Sequence, residues 1–138
     1  MNDLLKEFTG RDLPLALVTQ KARAFQIEGV AAGVSVELEE LGLTDFFPVV
    51  VGIDDMQETK PHPEGILKAL AYFGVQPEHA LMIGDTGTDI EAARAAGCWS
   101  CLATWGVPEG ASRAERANAD LVVGTPGELL RLPFARQA

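Results

Sequence analysis

The segment Leu81-Met82-Ile83-Gly84-Asp85-Thr86-Gly87-Thr88-Asp89 decides the fold, because an apolar run passes through a glycine straight into two carboxylates four residues apart. Such a run, apolar at successive positions, reads as a strand covered on both faces. The stretch after it, as far as Ala96, reads as a helix: Ala92, Ala93, Ala95 and Ala96 allow close approach to a sheet, and Gly97 supplies a stop. A strand that feeds a helix through a short polar turn is half of a parallel β-α-β unit.

The same alternation extends outward in both directions. Strands are expected at Leu15–Val18, Pro48–Ile53, Ala80–Ile83, Ser100–Ala103 and Leu121–Val123. From Pro63 to Phe73, the apolar residues Ile66, Leu67, Leu70 and Phe73 recur at helical spacing before Gly74. Lys21 to Leu41 is long enough for one helix or two, with Gly29 and Gly33 as a break or a packing contact. Glu109–Ala117 and Pro126–Leu130 read as short surface helices, and Leu4, Leu5 and Phe8 form an apolar helix face near the start. The reading is one α/β domain over residues 1–138, with a parallel sheet between two helical layers.

The chain has 138 residues, 47% hydrophobic and 22% charged, a balance that supports a packed core rather than disorder. Its formal charge of −9 argues against nucleic acid or an anionic membrane as a partner. No apolar run approaches the roughly 20 residues of a membrane span, and residues 1–7 do not resemble a signal peptide. A cytoplasmic location is expected, where Cys98 and Cys101 remain thiols. Their two-residue spacing matches redox and zinc motifs, but they come after a helix stop and enter a strand, so buried structural thiols are the favoured reading.

Three places carry candidate chemistry. Asp85 lies beyond the carboxyl end of a strand, where open parallel sheets bind ligands, and its oxygens suit Mg²⁺. Asp89, a helical turn on, supports the same place. The competing reading makes Asp85 and Thr88 capping residues, with Asp89 stabilising the positive end of a helix. Lys60, in Lys60-Pro61-His62-Pro63, is held by stiff backbone and can clamp phosphate, although taken alone it reads as a surface charge. Thr19, at the end of Leu17-Val18-Thr19-Gln20, can donate to a phosphate oxygen or cap the helix expected after Gln20.

Together, in this order, Thr19, Lys60 and Gly84-Asp85 with Asp89 resemble the second, third and fourth motifs of the haloacid-dehalogenase-like (HAD) hydrolase superfamily. Thr104-Trp105-Gly106 and the segment from Ala119 to Leu130 are similar to its phosphoglycolate-phosphatase-like branch. The resemblance implies a Rossmann-like core and Mg²⁺-dependent hydrolysis of a small phosphorylated metabolite through an aspartyl-phosphate. It implies that Thr19 and Gln20 contact the phosphoryl group, that Lys60 stabilises its charge and the nucleophile, that Asp85 binds Mg²⁺, and that Asp89 orients that site. Gln20 stands where many relatives have asparagine.

One departure is decisive. The first motif of this superfamily is an Asp-x-Asp pair on the central strand, and no two of the eight aspartates here are separated by a single residue. Asp54-Asp55 is a non-catalytic acidic loop on this reading. The helical cap that relatives insert between the first two motifs is missing too. The chain alone is therefore expected to be inactive, and its sheet to lack the middle strand. The resulting gap invites pairing with another copy or with a strand-donating partner; the alternative function is a silent binding or assembly module.

Overall fold

The computed structural model describes residues 2–105 and 118–132. The helix expected over Glu109–Ala117, and Gly106, lie outside the described residues.

Among the described residues, seven strands and four α-helices succeed one another: α1 (Asn2–Gly10), β1 (Ala16–Val18), β2 (Phe25–Ile27), β3 (Val30–Ala32), α2 (Val34–Glu40), β4 (Val49–Val51), α3 (Glu64–Phe73), β5 (Leu81–Gly84), α4 (Gly87–Ala96), β6 (Trp99–Ala103) and β7 (Leu121–Val123). The five expected strands are present as β1, β4, β5, β6 and β7. Helices α3 and α4 both end, as expected, at glycines in left-handed conformation, Gly74 and Gly97. A 3-10 helix, Pro126–Arg131, takes the place of the last expected helix.

The parallel sheet is split. β1 pairs with β4 through Ala16↔Val49 and Val18↔Val51, and β5, β6 and β7 form a separate parallel set. Among the described residues no strand joins β1 to β5. Both instead border one apolar cavity of about 240 Å³, with Ile66 and Phe73 of α3 among the residues on one side and Phe8, Leu129 and Leu132 among the rest of its lining. The missing central strand expected from the sequence thus leaves a real opening between the two half-sheets. Helix α1 does not fill it as a strand would. Leu4 and Phe8 are buried against Cys101, Ala103, Val123 and Leu129, which places the helix on the β6–β7 side.

The region after β1 corrects the sequence expectation. Instead of a helix beginning soon after Gln20, an antiparallel hairpin of β2 and β3 intervenes, and only Val34–Glu40 is helical. Phe25, Ile27 and Val30 favour extended backbone, and Ile27 pairs with Val30 around a two-residue turn. Both turn residues have positive φ, 50° at Glu28 and 81° at Gly29, as a type I′ hairpin requires. Gly29 is therefore a hairpin turn rather than a helix break.

Helix α4 approaches β5 and β6 closely because Ala92 and Ala93, both fully buried, carry only methyl groups into the contact. Cys98 and Cys101 are buried and unpaired. Burial pushes both thiols up, Cys101 to about 11, helped there by the negative charge of Glu128. Neutral, buried thiols lack the thiolate that redox exchange or zinc binding needs. Between β6 and β7, Ser100 N–H and Oγ donate to Asp120 Oδ2 at 2.8 and 3.1 Å, and Asp120 N–H returns a bond to Ser100 Oγ at 3.0 Å. No helix of the described residues is long and apolar enough to cross a membrane.

Candidate active site

The carboxyl ends of β1 and β5 meet at Lys60. Its ammonium lies 2.5 Å from Asp89 Oδ1 and 3.3 Å from the carbonyl oxygen of Val18, so one side chain ties both half-sheets together at this end. The pair is largely withdrawn from water, with side-chain exposures of 13% for Lys60 and 7% for Asp89. The reading of Lys60 as a solvated surface charge is thereby excluded.

Asp89 has a second task. Its Oδ2 accepts from the N–H groups of Asp85 and Thr86, at 3.2 and 3.3 Å, and from Thr86 Oγ1 at 3.0 Å. Thr86 caps α4 and receives the Asp89 N–H in return, at 3.4 Å, which completes a capping box. The cap is thus Thr86, not Asp85 or Thr88 as the sequence suggested. Asp89 serves both as helix-end anion and as the partner of Lys60. With both oxygens engaged, it can orient a site but has little capacity left to ligate a metal.

Gly84 makes this arrangement sterically feasible. A Cβ at this position would run into the Cβ and carboxylate of Asp89, so the glycine is needed for close approach. Sequence reasoning found the glycine but not this reason. The next residue, Asp85, is exposed and projects from the same turn.

The loop leading to Lys60 is organised by Glu64, which the sequence did not single out. Its carboxylate accepts from the N–H groups of Gln57 and Glu58, at 2.9 and 3.2 Å, and pairs with Lys68. The Gln57 N–H, with Glu58 and Lys68, holds the Glu64 carboxyl below the usual range. His62 Nδ1 accepts from Glu64 N–H, so His62 supports the start of α3. On the other side, Gln20 Nε2 donates to the Lys60 carbonyl at 3.1 Å. Thr19 Oγ1 accepts from Lys21 N–H at 3.1 Å, forming a local turn rather than a helix cap. The helix N-terminus expected to favour anions after Gln20 is absent here, because the hairpin occupies that segment. Thr19, Gln20 and Lys60 are nonetheless brought together.

Asp54 and Asp55 are used structurally. Asp54 accepts from the N–H groups of Arg23 and Ala24, at 2.7 and 3.2 Å, and Asp55 Oδ2 lies 2.8 Å from Arg23 Nε. These bonds clasp the start of the hairpin to the loop after β4. The Arg23 N–H and then the Ala24 N–H hold Asp54 below the usual carboxylate range, and the Arg23 guanidinium does the same for Asp55. Because the folded state holds these protons less tightly than the unfolded chain, the clasp contributes fully above the ordinary carboxylate pKa. That contribution disappears as pH falls through the depressed values. Between about pH 4 and pH 2, amide resonances of Phe25–Ala32 should shift toward random-coil positions; if they stay fixed, the clasp does not hold the hairpin.

In kind, the donor set fits a hard cation: Asp85 offers carboxylate oxygen, the ligand Mg²⁺ prefers. In number it is incomplete, since the described residues contain no group of three acidic, histidine or cysteine side chains that could hold a metal. Substrate oxygens, water and a further carboxylate would have to complete the shell.

Lys60 and Asp89 thus form a buried pair where the carboxyl ends of β1 and β5 come together, with the exposed Asp85 in the same turn as Asp89. The chain belongs to the haloacid dehalogenase-like hydrolases, whose family model matches residues 1–103. Within that family it is similar to phosphoglycolate phosphatases. It is 36% identical over 128 residues to that of Escherichia coli K12 and 38% identical to that of Salmonella choleraesuis. In both comparisons the match covers 93% of this chain but 47% of the relative, so the chain spans about half the length of the relatives it matches. The fold likeness is equally broad: a HAD phosphatase from Thermococcus onnurineus superposes with a TM-score of 0.77, at 24% identity, over 99% of this chain and 57% of the other.

Proposed function

We propose that this chain supplies the phosphate-binding and metal-orienting part of a Mg²⁺-dependent phosphate-monoester hydrolase acting on a small phosphorylated metabolite in the cytoplasm. The observation that carries the reading is the position of Lys60, drawn by Asp89 and the Val18 carbonyl to the crevice where Asp85 and Thr19 also stand.

In that role, Lys60 holds its ammonium ready for phosphoryl oxygen at no cost of reorganisation. Thr19 directs a hydroxyl to the same oxygens, and the remaining amide hydrogen of Gln20 is available beside it. Asp89 fixes Lys60 and keeps the turn around Asp85 in shape. Asp85 would hold the Mg²⁺, whose contribution is to neutralise charge on the phosphate. No residue of this chain matches the nucleophilic aspartate of the family, so the covalent route is closed to the chain by itself.

Hydrolysis of p-nitrophenyl phosphate should accordingly be absent for this polypeptide with or without Mg²⁺. Calorimetry should detect Mg²⁺ binding that is lost in Asp85→Asn. Unchanged binding in the variant would remove Asp85 as the ligand. Turnover that needs Mg²⁺ and is abolished by Asp85→Asn would show that another residue replaces the nucleophile. The silent binding module is the second reading, favoured by the open gap between β1 and β5; it predicts neither turnover nor Mg²⁺ binding.

A further inference from the structure

Lys60 reaches the crevice from a segment without regular structure, since no residue from Met56 to Pro63 belongs to a helix or strand. A lysine side chain is a flexible four-carbon stem. Its contacts to Asp89 and the Val18 carbonyl therefore hold the ammonium in one place only if the backbone behind it is held as well. The His62 N–H closes a local turn on the Thr59 carbonyl at 2.9 Å. The N–H groups of Gln57 and Glu58 both end on one side chain, the carboxylate of Glu64, at 2.9 and 3.2 Å. Glu64 thus ties the approach to Lys60 to the first turn of α3.

That turn is itself registered to the crevice. Gly65 is buried, and a Cβ there would stand 2.6 Å from Met56 Sδ and 2.7 Å from Val18 Cγ1, so α3 begins directly against the residue whose carbonyl Lys60 contacts. One turn further on, Lys68 pairs with Glu64 at 3.3 Å and donates to the Asp55 carbonyl, which straps the chain entering the segment to the same helix. We propose that Glu64 is a positioning residue for the Lys60 ammonium, acting through the backbone of residues 57 to 60, with Lys68 keeping its carboxylate turned to the loop. A carboxylate suits the task because its two oxygens accept one N–H each at the same time; an amide offers a single oxygen. The consequence for phosphate binding rests on the phosphatase reading above; the placing of Lys60 does not.

The test follows the Lys60 ¹³Cε and ¹⁵Nζ resonances in the full chain, assigned by their loss in Lys60→Met. In Glu64→Ala they should move toward their positions in Asp89→Asn, and the Gln57 and Glu58 amides should exchange at least about tenfold faster. Glu64→Gln, which keeps one acceptor, should lie between Glu64→Ala and the wild type, and it carries the test if the alanine variant does not fold. Leu129→Ala removes a buried side chain from the other core cluster and should leave the Lys60 signals in place. Faster exchange at residues 57 and 58 with unmoved Lys60 signals would overturn the proposal, since Glu64 would then hold the loop alone. An equal movement in Leu129→Ala would overturn it too, as general loosening. Inorganic phosphate should bind Glu64→Ala at least about tenfold more weakly than wild type. Lys60 signals that move as expected in a chain whose wild type binds no phosphate would overturn the phosphatase reading and leave the positioning role standing.

Discussion

Asp89→Ala should lower the unfolding free energy by about 3–5 kcal/mol, the range for a buried ion pair that loses one partner. Removing the carboxylate strands the Lys60 ammonium, 13% exposed, without its only carboxylate partner among the described ion pairs. It also opens the capping box and releases the N–H groups of Asp85 and Thr86. Urea unfolding measures the loss. Asp89→Asn separates the two contributions, since an amide oxygen can still accept from the turn but carries no charge. In Lys60→Met/Asp89→Leu the stranded charge is gone, so a double-mutant cycle should show coupling of at least about 2 kcal/mol. A loss under about 1 kcal/mol for Asp89→Ala would mean that the pair behaves like a surface salt bridge.

Gly84→Ala should be the second most damaging change, at about 2 kcal/mol, typical of a methyl forced into filled space. The new methyl would overlap the Cβ of Asp89 as well as its carboxylate, so a rotamer change alone gives no relief. The first turn of α4 must move outward, which lengthens the contact between Lys60 and Asp89. Two measurements bear on this: the unfolding midpoint, and the resonance of the Lys60 ammonium, which should shift in Gly84→Ala much as it does in Asp89→Asn. A variant with wild-type stability and an unshifted Lys60 signal would show that the close approach is not needed.

Much of this architecture was legible in residue order. The five strands at β1, β4, β5, β6 and β7 are short branched-chain runs with helical patterns between them, and Pro63 with Gly74 brackets α3 well. The open position between β1 and β5 was also legible, through the absent Asp-x-Asp motif. The β2–β3 hairpin was not. Phe25, Ile27 and Val30 are exposed, so the cue that marks a core strand is missing, and Glu28-Gly29 is a weaker hairpin signal than Asn-Gly.

At the site, the structure links Gln20 and Asp89 to Lys60, whose ammonium also reaches the Val18 carbonyl next to Thr19, and Asp85 stands in the turn that Asp89 holds. Sequence motifs could not say that Asp89 is saturated, since that depends on the direction of its two oxygens. The capping role of Thr86 was hidden because Asp85, Thr86 and Thr88 are all good caps and only backbone geometry selects among them. Glu64 looked like an ordinary first-turn acid of α3; its grip on residues 57 and 58 needs the loop to fold back over the helix.

The alanine face of α4 ties evolutionary freedom in the core to the accuracy of the crevice. Ala92 and Ala93 meet the sheet with no space to spare, while Asp89 projects from the first turn of the same helix. A bulkier residue at either position would tilt the helix and displace a carboxylate it never touches. Inherited variation at residues 92 and 93 should therefore be confined to side chains of about alanine size, although neither residue carries a polar group to the crevice.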